Sequence, residues 1–221
     1  FPQWYMKCDD IAKEMIEVVE KKELKIVPEE YEGTWYYWLK NIKDWCISRQ
    51  LWWGHRCPAY LVAIKGGHTP NPSNQENYVI ARNLEEAIVK AETKFGVSRD
   101  KLILTQDEDV LDTWFSSALF PFSTVQWPED NLTFKAFYPN TILETGHDIL
   151  FFWVARMVMM GLLLLKQLPF TTVFLHPMIR DALGRKMSKT LGNVIDPLEI
   201  ADGASLDKII EKVKGCNFSK A

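Results

Sequence analysis

The sequence predicts an α/β fold: a parallel sheet with flanking helices and a small inserted α/β excursion. Three observations carry this reading. Residues 142–146 (ILETG), an apolar run from about 148 to 165, and residues 171–176 (TTVFLH) read as strand, helix and strand. A crossover of that length makes the two strands parallel and the connection right-handed. Within residues 66–106, YVIA, NLEEAIVKAETKFG and KLILTQ repeat strand, helix and strand on a smaller scale. Polar residues suited to sugars and phosphates follow the strands of the larger unit, at the carboxyl edge where open parallel sheets bind ligands.

Taken in order, Asp9 is placed to cap a helix with Ile11, Met15, Val18 and Val19 on one face. LKIVP (24–28) reads as a short strand ended by proline. Thr34 opens a second helix, with Trp35, Trp38, Leu39 and Ile42 at helical spacing. AYLVAI (59–64) is strand-like, and residues 66–77 form a polar loop. In the excursion, Asn83 is the expected helix cap and Gly96 the terminator. Residues 142–146 read as a buried strand, and the tail from 205 starts a helix with Leu206, Ile209, Ile210 and Val213. No internal repeat is present.

Composition narrows the function. The 221 residues are ample for a core, nine of them are tryptophan, and the net charge is −3. No global basic field draws in nucleic acid, so any such contact is a local patch. Cys8, Cys46, Cys57 and Cys216 include no C-x-x-C pair. That argues against a zinc site and a disulfide framework, and for a reducing compartment such as the cytoplasm. The chain begins at Phe1 without a signal-peptide pattern. The run 149–165 is interrupted by Arg156 and short for a membrane span, so a buried helix and no membrane partner are expected.

The topology brings Gly146, Asp148, His176, Lys186 and Lys189 to one sheet edge. Gly146 lets a flat ligand approach the backbone. Asp148 can accept from a ribose diol or simply cap the helix that follows. His176 can pair with a nucleotide hydroxyl or phosphate, or be a structural strand-end residue. Lys186 and Lys189, three apart in GRKMSKTLGNVIDP (184–197), can neutralise charge on a leaving pyrophosphate or lie on a solvated surface. In SRQLWWGHR, Arg49, Trp52, Trp53 and Arg56 can stack on and grip a nucleic-acid strand or form a cation–π packed joint.

These blocks carry a family resemblance. GRKMSKTLGNVIDP resembles the KMSKS loop of class I aminoacyl-tRNA synthetases. ETGHDILFFWVARMVMMGL, NIKDWCISRQLWWGHRCPAY and DEDVLDTWFSSALFPFS resemble further blocks of the catalytic core in the valyl branch of that family. The resemblance implies the second half of a class I synthetase nucleotide-binding, Rossmann-like sheet. It implies that Lys186 and Lys189 are catalytic and hold ATP phosphates, with Met187 and Ser188 also contacting ATP or the adenylate. Gly146, Asp148 and His176 would hold the adenosine of an adenylate. Trp114, Ile149 and Trp153 would form the amino-acid pocket. Valine, tRNA(Val) and ATP with Mg²⁺ are the implied substrates, and the rest of a synthetase chain the implied partner.

The resemblance also divides the chain. Residues 1–65 return from an editing insertion into the core, 66–106 are a connective excursion, 107–204 complete the nucleotide fold, and 205–221 begin a helical region. Thr190 stands where the family pattern has Ser, keeping the hydroxyl. The excursion lacks the paired cysteines of many bacterial relatives, so no zinc is expected. The family's His-Ile-Gly-His type signature is not in the sequence, which leaves the isolated chain inactive on this reading. A non-catalytic synthetase-derived binding protein, an isoleucyl or leucyl relative, and an unrelated nucleotidyltransferase are the alternatives.

Overall fold

The computed structural model describes residues 2–215, with the side chains of 212, 213 and 215 excepted; the expected contribution of Val213 lies outside them. Its centre is a three-stranded parallel sheet in the order Lys25–Val27, Phe170–His176, Asn140–Gly146. Val173 pairs with Leu143 on one side and Ile26 on the other, and His176 pairs with Gly146. The register therefore ends the two longer strands side by side, at the edge where the sequence placed its polar residues.

The helix Asp9–Glu20 buries Ile11, Met15, Val18 and Val19 as expected, but its cap position is Cys8. Asp9 instead lies in the first turn, where a carboxylate still complements the helix dipole. The second helix begins at Tyr31, before Thr34. Backbone bonds from Tyr31 to Pro28 (3.2 Å) and Glu32 to Glu29 (2.9 Å) already turn the chain there, so no hydroxyl cap is needed. Trp35 and Leu39 are buried and Trp38 is 45% exposed.

Residues 142–146 are not a buried strand. Asn140–Gly146 is an outer strand of the described sheet, with Ile142 55% exposed and only Thr145 and Gly146 buried. The long helix is also not uniform. A 3₁₀ turn, His147–Ile149, passes into a π-helical stretch, Leu150–Ala155, and then into the α-helix Arg156–Leu165. By length and composition the 19 residues His147–Leu165 are apolar enough to cross a membrane. In this fold one face of the stretch is core, with Val154, Met157 and Val158 fully buried and packed with Met15, Trp35, Phe122 and Phe170, while Phe152 and Leu164 are exposed.

The excursion has its own core of Tyr60, Val62, Val79, Ala87, Ala91 and Leu102. Its antiparallel sheet takes its central strand, Ala59–Ile64, from ahead of the 66–106 segment and pairs it with Tyr78–Ile80 and Leu102–Gln106. Asn83 Oδ1 accepts from the Glu86 amide at 2.9 Å, and Gly96 closes the helix Leu84–Phe95 at a φ of 64°. The left-handed closing residue is what selects glycine there.

Candidate functional site

Gly146, Asp148 and His176 meet at the sheet's carboxyl edge. A Cβ added to Gly146 would lie 2.8 Å from both Asp148 Oδ1 and Met178 Sδ, and 3.5 Å from His176 Cε1. Any larger residue would push these side-chain ends aside, so the glycine is what lets them pack over the strand end. His176 Nε2 lies 3.3 Å from Glu144 Oε1, two residues back on the neighbouring strand, and its Nδ1 lies 2.9 Å from Pro177 O. The ring of His147 stacks on Tyr31 at 5.4 Å. Asp148 is not a free carboxylate: Lys186 Nζ donates to its Oδ2. That bond is the first cause holding the Asp148 carboxyl below its ordinary range.

The lysine loop is shaped by two residues that its motif did not advertise. Asp181 accepts from the amides of Leu183 and Arg185, from Arg185 Nε, and from Asn193 Nδ2. These bonds, with that from Asn193 foremost, hold its carboxyl far below the usual range. Asn193 Oδ1 in turn accepts from the Ser188 amide at 2.9 Å, and Ser188 Oγ accepts from the Leu191 amide at 3.2 Å. Met187 and Ser188 are therefore half-buried in the turn while Lys186 and Lys189 stand exposed. Two cations on a tightly hydrogen-bonded turn suit a ligand with several negative charges.

The proposed amino-acid pocket residues sit on two facing helices. Trp114 opens the helix Thr113–Ala118 and stacks on Phe152 at 6.0 Å. Trp153 Nε1 donates to Ser117 O at 3.0 Å, and Ile149 ends the 3₁₀ turn beside Asp148. All three are half-buried.

In the SRQLWWGHR block the two arginines are engaged internally. Arg49 donates to Cys46 O, Ser48 O and Asp112 Oδ2, and Arg56 donates to the carbonyls of Gln106 and Asp107. These are the contacts of a joint between segments. Trp52 and Trp53 are 89% and 84% exposed, which leaves their faces open for stacking. A separate open cavity of about 360 Å³ lies against Trp38, Trp45, Phe151 and Arg156; none of the adenosine or lysine-loop residues borders it.

Sequence reasoning missed Asp112, Arg156, Asp181 and Asn193. Asp112 is 5% exposed, and Arg156 lies against it with its guanidinium 3.8 Å from the centre of the Trp45 ring. Burial pulls the Arg156 pKa down, opposed by the Asp112 charge. Among the described residues no group of three or more His, Cys, Asp or Glu converges in a metal-binding arrangement. Cys8, Cys46 and Cys57 are free thiols, with burial raising that of Cys57 to about 11.

The family model of class I tRNA synthetases (I, L, M and V) matches residues 1–213. The valine–tRNA ligase of Rattus norvegicus is 53% identical over 98% of this chain, which spans 17% of that protein. The mitochondrial valine–tRNA ligase 1 of Arabidopsis thaliana is 52% identical over 98% of the chain and 20% of its own length. Among solved structures, a Mycobacterium tuberculosis methionyl-tRNA synthetase bound by methionyl-adenylate shares the fold. It has a TM-score of 0.57 at 18% identity, over 94% of this chain and 32% of that one. With the parallel sheet, its flanking helices and a family match over nearly the whole length, the chain belongs to the class I tRNA synthetases of the I, L, M and V group.

Proposed function

We propose that this chain is the C-terminal half of the catalytic domain of a valine–tRNA ligase, with residues 184–190 as its KMSKS-type loop. The observation that carries the reading is the convergence of Gly146, Asp148, His176 and Lys186 at one sheet edge. The whole protein would join valine to ATP with Mg²⁺, releasing pyrophosphate, and then transfer the valyl group to a terminal ribose hydroxyl of tRNA(Val). Mg²⁺ enters with ATP as part of the substrate.

In the first step Gly146, whose missing side chain lets Asp148 and His176 close over the strand end, underlies the adenosine, and Asp148 and His176 offer polar atoms to its sugar. Lys186 and Lys189 follow charge as it moves onto the departing pyrophosphate, which lowers the barrier by electrostatic stabilisation. Trp114, Ile149 and Trp153, all half-buried, supply apolar walls suited to a small β-branched side chain. Trp52 and Trp53 present stacking faces to the acceptor end of tRNA, with Arg49 and Arg56 holding their loop in place.

The division into 1–65, 66–106, 107–204 and 205–221 belongs to this reading, with first-signature, editing and anticodon regions supplied by the rest of a synthetase chain. A cytoplasmic location belongs to the same reading, with an organellar form as its alternative. The test is amino-acid-dependent ATP–pyrophosphate exchange by the natural full-length protein. Exchange with valine supports the reading; exchange with isoleucine or leucine alone moves the chain to a sister enzyme; exchange with no amino acid leaves a binding protein.

A further inference from the structure

Asp112 is the one buried carboxylate among the described residues. Its Oδ2 accepts from Trp45 Nε1 at 3.1 Å, Arg49 Nη2 at 2.9 Å and Arg156 Nη1 at 3.3 Å. Its Oδ1 accepts from the Trp114 amide at 3.4 Å, at the start of the helix Thr113–Ala118. A cap alone needs none of the first three bonds.

The partners explain the arrangement. Trp153 and Arg156 stand three residues apart, one turn along the long helix. Trp153 grips the last turn of the helix Thr113–Ala118 through Ser117 O, and Arg156 grips its first turn through Asp112. The two helices are therefore clamped at both ends of the shorter one, with the Trp114–Phe152 stack between. The π-helical stretch Leu150–Ala155 precedes Arg156 directly. Trp153 lies inside it and Arg156 follows it, and such insertions are frequent at functional sites.

We propose that Asp112 is a positioning residue for amino-acid selectivity, fixing through Arg156 the spacing between Trp114 on one helix and Ile149 and Trp153 on the other. The proposal rests on the valine–tRNA ligase reading and on its pocket assignment. Stability alone would be served as well by apolar side chains of the same volume. The charged pair adds directional bonds that hold one orientation.

The test uses the natural full-length protein with Asp112→Asn, which keeps a capping side chain, and with the double change Asp112→Asn/Arg156→Met, which leaves no unpaired buried charge. Valine- and isoleucine-dependent ATP–pyrophosphate exchange give the ratio of kcat/KM for the two amino acids, alongside the KM for ATP and the melting temperature. The expected result is a valine preference reduced by about tenfold or more, the scale of one methylene in a pocket, with the KM for ATP within about twofold of the parent. A preference unchanged in a folded variant overturns the proposal. So does an equal loss for both amino acids and ATP, or failure of both variants to fold, since each marks a purely structural pair. If the parent shows no valine-dependent exchange, the functional reading itself fails and takes the proposal with it.

Discussion

Lys186 Nζ donates to Asp148 Oδ2, joining the first lysine of the loop to the carboxylate at the mouth of the long helix, 38 residues earlier. The side chains are 54% and 30% exposed. An ion pair that open to water is worth about 0–1 kcal/mol, so it exchanges readily for stronger partners. On the proposed function, ATP offers both at once: ribose hydroxyls for Asp148 and phosphates for Lys186. The pair thus keeps two ligand-binding groups matched to each other until the nucleotide separates them.

Lys189 is exposed on the same turn. Lys189→Ala in the full-length protein is expected to slow valine-dependent ATP–pyrophosphate exchange by about 10²-fold, the scale of one lost transition-state contact. Valine binding, measured by calorimetry, should change little. Equal losses in both would remove Lys189 from the phosphate site.

Ile149 ends the 3₁₀ turn beside Asp148 and is half-buried. Ile149→Ala is expected to raise isoleucine use relative to valine by about tenfold or more, since one methylene in such a pocket decides about 10–200-fold. The comparison is kcat/KM for the two amino acids. Selectivity identical to the parent's would place the pocket elsewhere. Added hydroxyls are a separate matter: apolar pockets reject threonine against valine by only about 10²-fold, the well-known case for enzymes of this kind.

Gly161 tests the core independently of function. An added Cβ there would lie 2.8 Å from Gln167 O, 2.9 Å from Pro169 Cδ and 3.2 Å from the Tyr138 hydroxyl. Backbone and a proline ring have little room to yield. Gly161→Ala is expected to lower stability by about 1–3 kcal/mol in urea unfolding despite alanine's better helix propensity. A gain in stability would show that the helix shifts to make room.

Glu86 gives a pH dependence. Bonds from Lys90 first, and then from Arg82, lower its carboxyl pKa to about 2, beneath an unfolded value of about 4.3. A depressed folded pKa means that the stabilisation is present above the unfolded value and lost as pH falls toward the folded one. Amide-exchange protection of the helix Leu84–Phe95 should therefore exceed that of Glu86→Gln at neutral pH, with the difference shrinking below about pH 4. A difference independent of pH would contradict this.

Much of the fold was legible because its signals are local. Asn83 and Gly96 bracket a helix through bonds within a few residues, and the alternation of strand, helix and strand fixes parallel pairing through connection length alone. The carboxyl-edge placement of Gly146, Asp148 and His176 followed from that topology. The Asp112 contacts were not legible, since they reach Trp45, Arg49 and Arg156 across 67, 63 and 44 residues. Arg156 read only as a break in an apolar run. The π-helical stretch leaves no mark in the hydrophobic pattern because nearly every residue there is apolar. Asp181 and Asn193 carried a weak signal, each standing near a glycine turn beside the lysines, a setting in which Asp and Asn commonly bind backbone amides.

Among the described residues Asn140–Gly146 pairs on one flank only, yet it ends in the glycine against which Asp148 and His176 pack. On the proposed function, a nucleotide held at these strand ends lies next to an open edge of the sheet. Any strand that joins this flank in a longer polypeptide becomes a second wall of the same cleft. Docking of that strand and capture of the nucleotide are then thermodynamically linked, each tightening the other by the same factor. On that function the outer strand is a coupling element between a joining strand and the ligand edge.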